Sequence, residues 1–304
     1  MGLIERAIGG NGAGELIAAP APFTNIEGSP FDIDRAALKS KGVFVGGDAP
    51  TTQAYELRAI KRRLLRRIGF LQRAGRDPRL ARSSGRNRNI ILLTSTRPGE
   101  GKSFAAMNLA LSFASEEGFP VCLIDGDPAR PRLRTYFDFP EGKGLADLLA
   151  DSELAVSSVS RTARGAPLTF IGEGSPIANA TDLFGSLDAK RFFAALSAGL
   201  PDGLVIIDAP PMLATTETIA LARHADEVVF VVEADATPQP AIATALDELL
   251  ELNQNVSLVL NRCLVPAGGS HYSAYEYYDR RPSEQGGSGA PSAPAGAEKD
   301  RGQE

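Results

Sequence analysis

The chain contains few of the residues on which thiol and imidazole sites depend. Its 304 residues include two cysteines and two histidines. Cys122 and Cys263 lie within short apolar runs and show no metal-ligand spacing, which predicts two buried, reduced thiols of a cytosolic protein. Because only His224 and His271 are available, a histidine-based metal site is not expected.

Long hydrophobic runs and a leader-like start are also missing. No run comes near the length of about eighteen apolar residues that a spanning helix needs. The first residues lack a cationic stretch followed by an apolar segment. We therefore expect a cytoplasmic chain, or one that reaches a membrane only through a partner.

Acidic residues are scarce in one segment. Residues 58–88 contain twelve Lys or Arg and one acid, Asp77, which gives a net charge of +11 in a chain whose total is −5. This asymmetry indicates a basic face that contacts an anionic membrane surface or a neighbouring subunit, with a merely solvated face as the alternative. No nucleic acid is expected, because no recognition module accompanies the charge.

Composition divides the chain into five segments. Residues 1–50 are rich in Gly, Ala and Pro and are predicted to be a disordered arm, with short partner-induced structure as the alternative. Residues 51–88 are predicted to form a basic amphipathic helix and a linker. A core domain over 89–268 and a tyrosine cluster over 269–280 precede residues 281–304, which have no apolar anchors and are predicted to be disordered.

The core segment alternates short apolar runs with stretches of helical character. Near-continuous apolar runs between helices are typical of parallel strands that are covered on both faces. The predicted fold class is therefore α/β, with a doubly wound, mostly parallel sheet. The strand-like runs are IILLTS, VCLID, LTFIG, LVIID, EVVFVVE and VSLVLN, and helices are predicted near 103–117, 180–198, 217–224 and 239–253.

One loop has the sequence of a phosphate-binding turn. The stretch LLTSTRPGEGKSFAA follows a predicted strand and opens a helix. Gly99 and Gly101 allow backbone N–H groups to face an anion, Lys102 can reach phosphates, and the Ser103 hydroxyl can bind Mg²⁺. Thr96 stands where the usual first glycine would be, and an ordinary strand–helix turn is the alternative. The residues predicted to contact the nucleotide are Arg97, Pro98, Gly99, Glu100, Gly101, Lys102, Ser103 and Phe104.

Three aspartates follow two other predicted strands. Asp125 and Asp127 end VCLIDGD, and Asp208 ends LVIID. Since ligands of open parallel sheets bind outside the carboxyl ends of the strands, the three acids should converge on the phosphates. One carboxylate can hold Mg²⁺ and another can accept a proton from the attacking group. A simple capping role is the alternative for any single aspartate.

Together, STRPGEGKS, LIDGDPARP and IIDAPP resemble the three nucleotide motifs of the bacterial tyrosine kinases (BY-kinases) of capsule and exopolysaccharide synthesis. The resemblance covers roughly residues 51–280. In ATTET and VVEADATPQ it is nearest to the tyrosine autokinases that accompany exosortase-linked polysaccharide export. It implies a P-loop NTPase fold that uses ATP and Mg²⁺.

The resemblance also implies roles for individual residues. Lys102 would bind phosphate, and Asp125 would be the base for a tyrosine hydroxyl. Ser103, Asp127 and Asp208 would organise Mg²⁺.

Two departures from the family pattern concern the second motif and the assembly of subunits. Ala129 stands where the motif often has the first of two basic residues. Tyr55 stands where the acid of a ring-assembly motif would be, although Arg58 and Lys61 fit its basic positions. The implied partners are further copies of the chain, a transmembrane chain-length-determinant (polysaccharide co-polymerase) activator and a cognate tyrosine phosphatase.

Four of the six tyrosines lie within seven positions, as Tyr272, Tyr275, Tyr277 and Tyr278. The resemblance and the preceding glycines favour a tethered phosphoacceptor cluster, modified in trans, through which an autokinase regulates exopolysaccharide polymerisation or export. An aromatic edge packed on the core is the alternative.

Asn261 and Arg262 end the last predicted strand and are predicted to contact adenine, with a strand-end turn as the alternative. The competing functional interpretation is a partitioning or division-site type of P-loop ATPase that acts as a dimerisation switch. That class usually has a lysine where this chain has Arg97. A scaffold that only binds nucleotide is a third interpretation.

Overall fold

The computed structural model describes residues 26–45, 51–70, 87–116 and 119–263, which belong to one compact unit. The strands in this part of the chain are β1 Ser29–Phe31, β2 Ile90–Ser95, β3 Val121–Asp125, β4 Arg161–Ala163, β5 Leu168–Ile171, β6 Leu204–Asp208, β7 Glu227–Glu233 and β8 Val256–Asn261. The helices are α1 Arg35–Ser40, α2 Thr52–Arg67, α3 Lys102–Ala114, α4 Leu133–Tyr136, α5 Leu145–Ala150, α6 Val156–Val159, α7 Ala180–Phe184, α8 Leu187–Gly199, α9 Glu217–Ala222 and α10 Gln239–Leu252.

The strands form one sheet in the order β1-β4-β5-β3-β6-β2-β7-β8. Neighbouring strands are parallel except β4 and β5, which are antiparallel. Side chains of β2 alternate between two cores: Ile91 and Leu93 pack on one face of the sheet, and Ile90 and Leu92 on the other. Because both faces are covered, the central strands are buried along their whole length and are mostly apolar. The predicted α/β fold with a doubly wound, mostly parallel sheet is confirmed.

The six predicted strands are all present, and the predicted helix over 180–198 divides into α7 and α8. The break follows from local capping. The Ser186 side chain accepts a hydrogen bond from the backbone N–H of Ala189 at 3.0 Å, which starts a new helix just after Gly185.

Residues 26–45 differ from the predicted disordered arm. β1 pairs with β4, and α1 begins at Asp34, whose side chain accepts from the N–H of Ala37 at 2.9 Å. The Phe31 ring packs edge-on against Phe137 and Phe139, with ring centroids 5.1 and 4.9 Å apart. Tertiary contacts thus order a segment whose own sequence shows little periodicity. The segment boundaries predicted at residues 88 and 268 stay predictions.

Helix α2 confirms the predicted amphipathic helix, and an ion pair joins it to the sheet. Leu57, Leu64 and Ile68 are buried against the core. The Arg67 guanidinium lies 2.6 Å from Glu227 Oε1, whose side chain is 1% exposed. The basic helix therefore belongs to the folded unit, while residues 71–86 of the basic segment lie outside the described residues.

The two cysteines have different surroundings. Cys122 on β3 is fully buried, and burial raises the pKa of its thiol to about 12. Cys263 is exposed, because it follows β8, the strand at one edge of the sheet. The prediction of two buried thiols is therefore wrong for Cys263. No helix in the described part of the chain has the length and apolar character of a membrane span.

Candidate nucleotide-binding site

A cleft of about 550 Å³ lies where β2, β3, β6 and β8 end, at the carboxyl edge of the sheet. This volume is typical of small-molecule sites, and the position is the one that open parallel sheets use for ligands. The lining residues are Pro98, Gly99, Gly101, Lys102, Ser103, Phe104, Asp127, Arg130, Arg132, Thr135, Tyr136, Pro211, Asn261 and Arg262.

The predicted phosphate loop connects β2 to α3 and forms one wall of the cleft. Gly99 and Gly101 have φ angles of +94° and +95°, which residues with a Cβ rarely adopt. A Cβ at position 101 would also collide with the side-chain amide of Asn261. Glycine at these two positions therefore permits the tight turn that points backbone N–H groups and the positive end of α3 into the cleft.

Lys102 is a buried cation held by two acids. Its side chain is 10% exposed, and its Nζ lies 2.9 Å from Asp127 Oδ2 and 3.5 Å from Asp208 Oδ1. Burial alone would lower the pKa of Lys102, but Asp208 and Asp127 outweigh it, so the pKa is raised. Lys102 therefore stays positively charged at neutral pH, as a phosphate-binding residue requires.

The residues predicted to hold Mg²⁺ are brought together beneath the loop. Asp208 is fully buried, and burial raises its pKa, although the Lys102 charge and the Ser103 hydroxyl act in the opposite direction. Its Oδ2 is buried and has no hydrogen-bond partner within the described part of the chain. An unpartnered carboxylate oxygen beside a hydroxyl and a second carboxylate suits Mg²⁺, so Ser103, Asp127 and Asp208 fit this ion.

Within the same described ranges, no group of three His, Cys, Asp or Glu side chains has the arrangement of a metal site. This result agrees with the usual mode of Mg²⁺ binding at nucleotide sites, in which one or two carboxylates act with substrate phosphates and water.

Asp125 differs from its predicted position. It is 0% exposed, and its carboxylate accepts hydrogen bonds from the N–H groups of Asp127, Arg132 and Leu133 at 3.1, 3.1 and 2.9 Å. Burial, and then the Asp208 charge, raise its pKa well above the usual value. Asp125 does not line the cleft formed by the described residues, whereas Asp127 does. Asp125 therefore holds the segment that follows β3, and Asp127 is the aspartate of this pair that faces the cleft. The predicted role of Asp125 as the base stays a prediction.

Arg97 and Glu100 also differ from their predicted places. Among the residues that the structure describes, neither lines the cleft, although both belong to the phosphate loop. The Glu100 side chain is turned beneath the loop and is 3% exposed.

Asn261 and Arg262 lie at the other end of the cleft. The Asn261 amide donates to the backbone carbonyl of Glu100 at 2.9 Å. Arg262 has a φ angle of +59° and pairs with Glu233 at 2.6 Å. Both residues line the cleft, and their contact with adenine stays a prediction.

A further wall of the cleft, called the third wall here after the phosphate loop and the Asn261–Arg262 end, was not among the predicted site residues. It consists of Arg130, Arg132, Thr135 and Tyr136, and burial and then the Asp208 charge raise the pKa of the Tyr136 hydroxyl. The run ARPRLRTY directly after the strand-end aspartates was the available signal. Lys41 supports this wall from the N-terminal segment, because its Nζ donates to the carbonyl of Thr135 at 2.7 Å.

The predicted acceptors Tyr272, Tyr275, Tyr277 and Tyr278 lie outside the described residues.

Comparison with known proteins finds tyrosine kinases, although no family model matches the chain. The tyrosine-protein kinase YwqD of Bacillus subtilis (strain 168) is 31% identical over 196 residues, which cover 64% of this chain and 80% of YwqD. The putative tyrosine-protein kinase EpsB of Ralstonia nicotianae is 32% identical over 204 residues, 64% of this chain. The chain spans 27% of the length of EpsB.

Solved structures show the same fold. The kinase domain of the Escherichia coli tyrosine kinase ETK superposes with a TM-score of 0.59 at 19% identity, over 80% of this chain and 91% of that domain.

Proposed function

Because the chain belongs to the family of bacterial tyrosine-protein kinases, we propose that it transfers the γ-phosphoryl group of ATP to tyrosine hydroxyls. The observation that carries this proposal is the cleft itself. One wall is a glycine-bearing turn at a helix N-terminus, and a buried lysine beside two aspartates lies at its base. Such a site suits phosphoryl transfer, which depends mainly on positioning and on neutralising charge.

The phosphate loop would bind and orient the polyphosphate. Backbone N–H groups around Gly99 and Gly101 face the β- and γ-phosphates, and the Lys102 ammonium neutralises negative charge on them. Ser103 and Asp208 would hold Mg²⁺. The predicted ligand set also included Asp127, which the proposal gives to the acceptor instead. When bound, this ion supplies Lewis-acid neutralisation of the phosphate oxygens.

Asp127 would act on the acceptor. A tyrosine hydroxyl has a pKa of about 10 and is a weak nucleophile at neutral pH, so it needs a base at the cleft. The Asp127 carboxylate takes the phenolic proton as the tyrosine oxygen bonds to the γ-phosphorus. The bond from that phosphorus to the β–γ bridging oxygen breaks, and ADP leaves.

The acceptors of this reaction would be Tyr272, Tyr275, Tyr277 and Tyr278 of a neighbouring copy. Each phosphate adds about −1.5 to −2 charges near pH 7, so several within seven residues repel an acidic site and release the modified segment. Phosphorylation would thus control assembly of the oligomer and, through it, exopolysaccharide polymerisation or export.

A transmembrane chain-length protein would activate the kinase at the inner membrane. A cognate tyrosine phosphatase would remove the phosphates from the acceptor tyrosines.

The test is incubation of the full chain with ATP and Mg²⁺, followed by phosphotyrosine detection and mapping. Label should appear on the C-terminal cluster and vanish in Lys102→Met, because the phosphates lose their cationic partner. Lys190→Met, which alters an exposed lysine of α8, is the matched control and should label as the wild type does. Brisk ATP hydrolysis without phosphotyrosine, even with the membrane activator present, would instead support the partitioning type of ATPase.

A further inference from the structure

Glu100 places a carboxylate in the middle of a loop that is proposed to bind an anion. A negative charge facing the phosphates would weaken binding, since like charges repel. The structure instead buries this side chain beneath the loop, at 3% exposure, and within the described residues it is not part of the cleft lining. The carboxylate therefore needs a role other than contact with the nucleotide.

Its two carboxylate oxygens have separate partners. Glu100 Oε2 accepts the backbone N–H of Arg97 at 2.9 Å and so closes the turn that contains Gly99. Glu100 Oε1 accepts the hydroxyl of Thr237 at 2.6 Å. Hydrogen bonds to a carboxylate are stronger than neutral ones, so this residue fixes the curvature of the loop from below.

Thr237 brings a second segment into contact with the loop. It lies between β7 and α10, and its backbone N–H donates to the carbonyl of Glu233 at 3.2 Å. Glu233 in turn pairs with Arg262, which lines the far end of the cleft. The Asn261 amide binds the Glu100 carbonyl from the same side. These hydrogen bonds and the ion pair thereby connect Glu100, in the phosphate loop, to Asn261 and Arg262 at the far end of the cleft.

We infer that Glu100 and Thr237 are positioning residues that hold the phosphate loop in its binding conformation. The Thr237 hydroxyl orients the Glu100 carboxylate, and the carboxylate orients the N–H of Arg97 and the turn at Gly99. The inference deepens the proposed function, since it concerns binding of the phosphates at that same site. A loop that is already ordered loses less conformational freedom when phosphates bind, so the pair should act on affinity rather than on the chemical step.

The experiment compares Thr237→Val, which keeps the shape and removes the hydroxyl, with Thr237→Ser, which keeps the hydroxyl. Calorimetric titration of the full chain with ADP and Mg²⁺ should show about tenfold weaker binding for Thr237→Val, the size expected for loss of a hydrogen bond to a charged group. The KM for ATP should rise to a similar extent, with kcat within about twofold. Thr237→Ser should bind within about twofold of the wild type.

Thr244→Val is the matched control, because the Thr244 hydroxyl donates to the carbonyl of Pro240 on its own helix and, among the residues that the structure describes, makes no bond to the phosphate loop. It should leave ADP affinity unchanged. Glu100→Gln should weaken ADP binding as Thr237→Val does. The double variant Glu100→Gln/Thr237→Val should bind ADP no more weakly than Glu100→Gln alone, because Thr237 acts on the loop through Glu100.

Equal ADP affinity in Thr237→Val and the wild type would overturn this inference alone. Additive losses in the double variant, or a fall in kcat at unchanged KM, would overturn it as well. If the wild type itself fails to bind ADP, the proposed function falls and this inference falls with it.

Discussion

Two aspartates that lie two positions apart after β3 have different surroundings. The oxygens of Asp125 are occupied by three backbone N–H groups of the following loop, whereas Asp127 faces the cleft and Lys102. Sequence alone places both at the end of a strand. Which of them faces the ligand depends on the path of residues 126–133, and that path is set by tertiary packing around Leu133, which is fully buried.

The two aspartates should therefore respond differently to substitution by asparagine. Asp127→Asn removes the proposed base and should lower kcat for tyrosine phosphorylation by a factor of about 100 or more. Asp125→Asn turns an amide N–H₂ toward backbone donors and should cost about 1–3 kcal/mol of stability. Steady-state kinetics and urea unfolding of both variants measure these effects. Equal loss of activity in the two variants, with unchanged unfolding, would contradict the assignment.

At the scale of single elements, the strands of the central sheet could be predicted because each is a continuous apolar run bounded by polar residues. Burial on both faces of the sheet demands this pattern, and β2 and β6 are buried from end to end, with polar residues only where they finish at the cleft. The loop after β2 could also be predicted, since its glycines and lysine are close in sequence. The burial of Glu100 could not, because it depends on a contact with the distant Thr237.

Residues 26–45 are the main part of the fold that sequence could not predict. β1 has three residues and α1 has six, too few for a periodic signal. Their order comes from pairing with β4, from the aromatic contacts of Phe31, and from the Phe44 N–H, which donates to Asn108 Oδ1 of α3 at 2.7 Å.

Removing the Phe31 ring should accordingly destabilise the whole fold. Phe31 is 8% exposed, and deletion of a buried phenyl group typically costs about 3–5 kcal/mol. Urea unfolding of Phe31→Ala measures the loss. Leu187→Ala on α8, where the side chain is 47% exposed, is the control and should change stability by no more than about 0.5 kcal/mol. Wild-type stability in Phe31→Ala would show that this segment is not part of the cooperative unit.

Asp147 in the first turn of α5 gives the fold a dependence on pH. Its carboxylate accepts from the N–H of Gly144 and from the N–H and hydroxyl of Ser175, at 2.9, 2.9 and 2.7 Å. Burial acts to raise its pKa, but these donors outweigh it, so the pKa lies below the usual value of 3.8. A lowered folded-state pKa means that the stabilisation is complete above 3.8 and is lost as pH falls through the lowered pKa.

Asp147→Asn should therefore be less stable than the wild type at pH 7. The difference between the two proteins should shrink once the pH falls below the usual aspartate value. Urea unfolding of both proteins at pH 7 and at several acidic values measures this trend. A gap that widens on acidification would contradict the stated role of the carboxylate.

At the scale of the whole molecule, the covalent length of the chain does not decide which active site an acceptor can enter. Arg262 lines the cleft, and Tyr272 follows ten residues later. Ten residues span at most about 33–36 Å when extended, which is enough to return to the same cleft or to reach a neighbouring one. The proposed phosphorylation in trans would therefore depend on assembly of the subunits, because the chain is long enough for transfer within one copy.

Mixing two full-length proteins separates these routes. Tagged Lys102→Met, which cannot phosphorylate itself, is incubated with untagged wild type, ATP and Mg²⁺. Phosphotyrosine should appear on the tagged chain, at a rate that rises with wild-type concentration, because transfer requires an encounter of two copies. Label confined to the wild-type chain, at a rate independent of concentration, would indicate transfer within one chain.

Because Cys263 is exposed and Cys122 is buried, a thiol-reactive dye can be attached to the native chain at one position. A maleimide dye needs access to the sulfur, so it should modify the exposed Cys263 and leave the fully buried Cys122 untouched. Mass spectrometry should find one dye per folded chain and two after denaturation. Because Cys263 adjoins Arg262 at the cleft, the fluorescence of the attached dye is expected to change when ADP and Mg²⁺ are added, without any engineered residue.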